Sequence, residues 1–231
     1  MARAAAPAEA AIAAFSTAAS GAALPSGWRR IAIPGVKRNE FALVAEDGRT
    51  VLRVRSESAA GSAAHDLAAD PGATPVLAWR WKVERALDRA AWGTKEGDDF
   101  AARIYVTFDL PLDRLPLAER AKIRLGRALF GSDLPAAALC YVWASREPVG
   151  TSGWNPYADR VRMIVVESGN ARAGQWVAES RDVEADFRAA FGGQWKGPVP
   201  RVSGVLLSSD TDQTNESVTA WFGDLRLEAK R

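Results

Sequence analysis

From about residue 27 the chain alternates short apolar and polar runs separated by turn-forming residues. WRRIAI stops at Pro34-Gly35, EFALVAE stops at Asp47-Gly48, and TVLRVRSES leads into the small-residue loop AAGSAAHDL. Asp47-Gly48 between two alternating runs predicts a tight hairpin. After Pro71-Gly72, the run VLAWRWKVE puts Leu77, Trp79, Trp81 and Val83 on one face, which reads as core. Arg80, Lys82 and Glu84 fall on the other. The pattern continues through DDFAARIYVTFD, LCYVWAS, RVRMIVVES, QWVAESRDV, VSGVLLSSD and TAWFGDLRLE. Roughly ten strands, mostly about eight to fifteen residues apart, predict an all-β fold, a jelly-roll-like antiparallel β-sandwich. Two short inserted helices are expected. Residues 116–130 carry helical spacing at Leu117, Ala121, Leu125 and Leu129, and residues 182–191 start on a capping Asp182 and stop at Gly192-Gly193. With no internal repeat and no second composition regime, the expected organisation is an Ala-rich N-terminal segment over 1–23 and a single β-sandwich domain over 24–231.

Charge narrows the partners. The 30 basic and 28 acidic residues nearly cancel, which argues against nucleic acid or a polybasic membrane contact. No run approaches the length of a transmembrane helix. The N-terminal segment lacks a leucine-rich apolar core and is interrupted by Glu9, so no signal peptide is evident. It reads as the mature end of an exported protein or as a short amphipathic helix. The lone Cys140 excludes an internal disulfide or thiolate cluster and reads as a small buried hydrophobe. The lone His65 excludes histidine-rich zinc chemistry. GxGxxG, P-loop, GxSxG and CxxC patterns are missing, so no nucleotide cofactor is expected.

The candidate chemistry begins at EGDDFAARIYVTFD, residues 96–109. On a strand, Asp99, Ala101, Arg103, Tyr105 and Thr107 share one face, while Phe100, Ala102, Ile104, Val106 and Phe108 share the core face. Asp98, Asp99 and Arg103 therefore read either as a salt bridge on a partly covered sheet, Arg103 pairing with Asp99, or as the polar floor of a ligand site. Carboxylates and a guanidinium bind sugar hydroxyls by charge-assisted hydrogen bonds. They also serve acid–base chemistry where burial raises one pKa. In SSDTDQTNESVTAWFGDL, Asp210, Asp212, Thr214 and Asn215 are spaced like the start of a calcium loop. The EF-hand pattern then fails, with Asn215 at its glycine position and Trp221 at its last ligand. The segment reads as an acidic turn or as a different cation or ligand loop, with calcium the candidate ion and Asp224 a further carboxylate. Trp92 and Trp154 stand in Gly-rich loops, either as stacking faces for a ligand or as lids over the sandwich edge.

The order of WRWKVE, GDDFAARIYVTFD, CYVWAS, RVRMIVVESG, WVAESRDVEADFRAAFG and SGVLLSSDTDQTNESVTAWFGDLRLE resembles the bacterial family termed domain of unknown function 3047, from about Trp28 to Glu228. The resemblance implies a single-domain, often exported bacterial protein, hence a periplasmic or exported location. It supplies no activity and no catalytic residues. It directs attention to Asp98, Asp99, Arg103, Asp210, Asp212 and Asp224. The carboxylate after an aromatic pair on the last strand is also similar to jelly-roll carbohydrate-binding modules, a likeness of fold only. The leading expectation is a module that binds a carbohydrate or similar polar envelope ligand through Asp98, Asp99 and Arg103, with Trp92 and Trp154 stacking. The alternatives are a glycan hydrolase or lyase with an aspartate acid or base, and a structural envelope protein with a protein partner.

Overall fold

The computed structural model describes residues 12–115, 117, 120–121 and 136–230. Two sheets pack face to face. The seven-stranded sheet runs in the order β1 (Trp28–Ile31), β4 (Ser62–Ala69), β11 (Val202–Ser208), β6 (Ala102–Phe108), β7 (Ala138–Ala144), β9 (Val161–Ser168) and β8 (Ser152–Trp154). The six-stranded sheet runs β10 (Val177–Asp182), β5 (Val76–Val83), β12 (Ser217–Phe222), β3 (Arg49–Glu57) and β2 (Glu40–Glu46), with β13 (Arg226–Glu228) also on β5. This is the expected all-β sandwich with a jelly-roll-like strand order. Among the described strands, β7 and β9 run parallel, with a register shift between Val142 and Trp143.

Local chemistry accounts for much of this. Asp47 and Gly48 both have positive φ, 50° and 74°, as a two-residue hairpin between β2 and β3 requires. β5 alternates half-buried and buried residues along its whole length, with Leu77, Trp79, Trp81 and Val83 in the core. Asp182 caps helix α1 (Val183–Phe191) by accepting from the Ala185 amide at 2.9 Å. The other expected helix, over 116–130, lies largely outside the described residues.

AAGSAAHDL is not a loop. Most of it belongs to β4, which lies between β1 and β11 and whose Ala63, Leu67 and Ala69 join the core. Alanines carry little strand signal of their own, and two neighbouring ladders decide the segment. The final run TAWFGDLRLE is two strands, because Gly223–Leu225 leaves the ladder between β12 and β13.

From Ile12 onward the described part of the N-terminal segment packs on the sandwich. Phe15 is fully buried beside Trp28, with ring centroids 4.8 Å apart. The Trp28 indole donates to the Ala13 carbonyl, and the Ala13 amide donates to Nε2 of His65. Burial lowers the His65 pKa, which suits an imidazole that accepts.

Candidate functional site

Arg103 is the centre of the site. It stands on β6 facing away from the inter-sheet core, and it is 1% exposed. Its Nε donates to Asp210 Oδ1 at 2.9 Å, and its NH2 group meets Asp210 Oδ2 at 2.5 Å. NH1 donates to Asp98 Oδ2 at 3.3 Å and to the Tyr105 hydroxyl at 3.4 Å, and NH2 also donates to the Asp98 carbonyl. Those contacts occupy all five guanidinium N–H bonds. Arg103 has no donor left for a ligand and acts as a clamp on Asp98 and Asp210. Burial works against its charge, but Asp210, Tyr105 and Asp98 hold the pKa well above the ordinary arginine value.

The expected partner of Arg103 was Asp99, yet Asp98 and Asp210 take that place. The reason is local. β6 begins at Ala102, so strict alternation does not extend back to Asp98. For the same reason Phe100 leaves the core face. It lies under the Arg103 guanidinium at 4.5 Å and edge-on to Trp92 at 6.0 Å, in a second apolar cluster with Cys140, Val142, Met163 and Val165. Cys140 is buried there, and burial raises its thiol to about 12, the behaviour of an inert apolar side chain.

Asp99 is fully buried, and its Oδ2 accepts from the Thr214 amide at 2.6 Å. The Asp210 carboxylate also accepts from the Phe100 amide at 3.1 Å, while the Asp210 amide donates to the Phe100 carbonyl at 3.2 Å. Two segments 110 residues apart in sequence are thus locked together. Thr211 turns the other way, with its hydroxyl 3.0 Å from that of Ser56, which anchors the acidic turn to the six-stranded sheet. Asp99, Asp210 and Asp212 each place a carboxylate oxygen within 4.8 Å of the others. That cluster has the composition of a divalent-cation site. Burial pushes the Asp210 carboxyl up to about 8, Arg103 pulling it down and Asp99 and Asp98 pushing it further up. Burial and Asp99 raise Asp212 as well.

Two loops meet at Asp98. In the first, the Ala91 amide donates to the Gly97 carbonyl at 3.0 Å, closing a turn that ends on Asp98. In the second, the Asn155 side-chain amide donates to Asp98 Oδ2 at 2.8 Å, and the Tyr157 hydroxyl donates to the Lys95 carbonyl at 2.9 Å. The Tyr157 ring is 57% exposed, with the Lys95 ammonium 5.4 Å from its centroid. Partial burial and the nearby Asp98 and Asp212 carboxylates raise its phenol pKa. Asn155 and Tyr157 were missed in the sequence as site residues, although they sit in the same Gly-rich loop as Trp154.

The two loop tryptophans are separated. Trp92 packs against Gly153, where a Cβ would come within 3.3 Å of the indole nitrogen. Trp154, the next residue on β8, therefore faces the other way, 5.5 Å from Phe191 and under Arg162. Asp224 also stands apart from the cluster. It accepts from the Ser16 amide and hydroxyl, at 3.1 and 2.5 Å. It borders a cavity of ≈ 230 Å³ that Arg49, Arg80 and Arg226 also line.

A second carboxylate pair went unread in the sequence. Glu179 on β10 is raised to about 7, first by burial and then by Glu167, with Arg172 and Arg181 opposing. Glu167 is itself paired with Arg172 at 3.0 Å.

The fold and the cluster define a two-sheet β-sandwich carrying a buried aspartate–arginine site on one face of its larger sheet. The chain belongs to the family described as Protein of unknown function (DUF3047), whose model matches residues 26–226. No curated protein matches it by sequence. Among solved structures, it is similar to the xyloglucanase domain of NopAA, a type three effector from Sinorhizobium fredii. That likeness has a TM-score of 0.48 and 10% identity, over 90% of this chain and 95% of that one. It is also similar to endoglucanase Cel12A from Rhodothermus marinus, with a TM-score of 0.44 and 8% identity, over 88% and 92% of the two chains. A family 12 xyloglucanase from Bacillus licheniformis gives 0.41 and 8%, over 89% and 88%.

Proposed function

We propose that the protein binds a carbohydrate or similar polar ligand where the 91–98 and 152–160 loops meet. The observation that carries this reading is the exposed Tyr157 ring, tied by its hydroxyl to the Lys95 carbonyl on the loop that leads into Asp98 and Asp99 and by its amide to Asn155, which holds Asp98. A pyranose lays its C–H face on such a ring, and its hydroxyls donate to carboxylates at the rim. Trp92 serves the site from behind by packing on Phe100 and Gly153. Arg103 and Asn155 fix the Asp98 carboxylate in place.

The test is a fluorescence titration with a panel of bacterial and plant oligosaccharides, on the native protein and on Tyr157→Ala. One sugar class gives a saturable change, and Tyr157→Ala weakens it about tenfold, equivalent to ~1.4 kcal/mol. Equal affinity in the two proteins overturns the assignment of the ring, and silence across the panel overturns the carbohydrate reading. Product analysis after long incubation of the bound sugar separates binding from turnover by an aspartate acid or base.

A further inference from the structure

The acidic cluster holds more negative charge than its surroundings balance. Asp98, Asp99 and Asp210 are 6%, 0% and 13% exposed at the residue or side chain; Asp98 and Asp210 share the guanidinium of Arg103, while Asp99 accepts from the Thr214 amide. Asp212 adds a fourth carboxylate at the rim. Three buried carboxylates around one guanidinium leave an uncompensated charge, which is costly in a low-dielectric interior.

The hydrogen bonds show where compensation is missing. Asp99 Oδ2 takes the Thr214 amide, but Asp99 Oδ1 is buried with no partner. The Thr214 hydroxyl, on a residue only 5% exposed, is likewise buried and without a partner. Asp98 Oδ1 is a third such oxygen. Buried oxygens are rarely left unpaired in native structures, and such atoms beside excess negative charge call for a cation. Thr214 is not one of the acidic residues, and its amide hydrogen bond holds it directly against Asp99.

We propose that Asp99, Asp210 and Asp212 bind a calcium ion, with the Thr214 hydroxyl as a neutral oxygen ligand. The donor set is all oxygen, which suits a hard cation. The three carboxylate oxygens span no more than 4.8 Å, which equals two Ca–O bonds of about 2.4 Å placed across one ion. Asp99 and Asp210–Thr214 come from opposite ends of the chain segment that the site closes, so the ion ties the β6 entry to the last loop before β12. Arg103 stays outside the coordination shell and fixes Asp210 from behind.

The inference does not depend on the carbohydrate reading, and its test uses the metal alone. The full chain is stripped with EDTA, and melting is followed with added CaCl2 or MgCl2. Terbium luminescence sensitised by the protein's aromatic side chains reports direct binding. Calcium at saturation is expected to raise the melting temperature by about 5 °C or more, and terbium emission should be displaced by calcium. Asp212→Asn, at the partly exposed rim, folds as the native chain does and weakens calcium at least tenfold. Asp99→Asn abolishes the response if it folds. Absence of both the calcium shift and terbium emission overturns the proposal, as does an undiminished calcium affinity in Asp212→Asn.

Discussion

Arg103→Met removes a charge while keeping an unbranched side chain of similar length, so it tests the clamp without opening a large cavity. In the native protein Arg103 bonds two oxygens of Asp210, one of Asp98, the Asp98 carbonyl and Tyr105, at 1% exposure. Its removal leaves the Asp98 carboxylate buried without its counter-charge and Asp210 without the guanidinium donors it accepts from. Losing one partner of a buried pair costs about 3–5 kcal/mol. In a chain of this size each kcal/mol lowers the melting temperature by about 2–4 °C, so the variant should melt roughly 6–20 °C below the native protein. The measurement is thermal and urea unfolding near pH 7.5 with EDTA present, so that no bound ion masks the charge. Adding Asp210→Asn to Arg103→Met removes one of the stranded carboxylates and should recover part of the loss, a coupling that a double-mutant cycle isolates. The reasoning is refuted if Arg103→Met melts within about 2 °C of the native protein. It is equally refuted if the double variant is no more stable than the single one.

Glu179 carries the clearest pH dependence. Its folded pKa of about 7 lies above the ordinary glutamate value of 4.5. The folded state therefore binds the extra proton, and stability falls as pH rises from about 4.5 to 7. Glu179→Gln should flatten that slope and stabilise the protein at pH 8 by about 1–3 kcal/mol, the upper end being the full cost and the lower end allowing for partial exposure. Urea midpoints at pH 5 and pH 8 decide it, and a variant no more stable at pH 8 contradicts the assignment. A Cβ on Gly97 would lie 2.5 Å from the Ala91 amide nitrogen, and that contact is backbone. Gly97→Ala should cost about 1–3 kcal/mol in unfolding free energy, and ligand binding at the neighbouring Asp98 should weaken with it. A native urea midpoint in that variant would show that the turn can shift without loss.

The sequence by itself determined the sandwich. Period-two alternation in runs such as VLAWRWKVE decides which face is buried, and Asp47-Gly48 and Asp182 set a hairpin and a helix start through local backbone chemistry. It also brought out Asp98, Asp99, Arg103, Asp210 and Asp212, because charged side chains beside strand runs are conspicuous wherever the chain later places them. Tertiary structure alone decided how they pair. Arg103 takes Asp98 and Asp210 rather than Asp99, because β11 lies beside β6 and carries the acidic turn to that strand's entry. Asp224 is as prominent in sequence as Asp212, yet it binds Ser16 in another part of the fold. Trp92 and Trp154 look alike as loop aromatics, but the backbone of β8 sends them to opposite faces. The Glu179–Glu167 pair leaves no local trace, since its raised pKa arises from burial and from a charge on another strand. Local patterns report what each residue prefers. Proximity across the chain, which sets charge compensation and pKa, exists only once the sheets have closed.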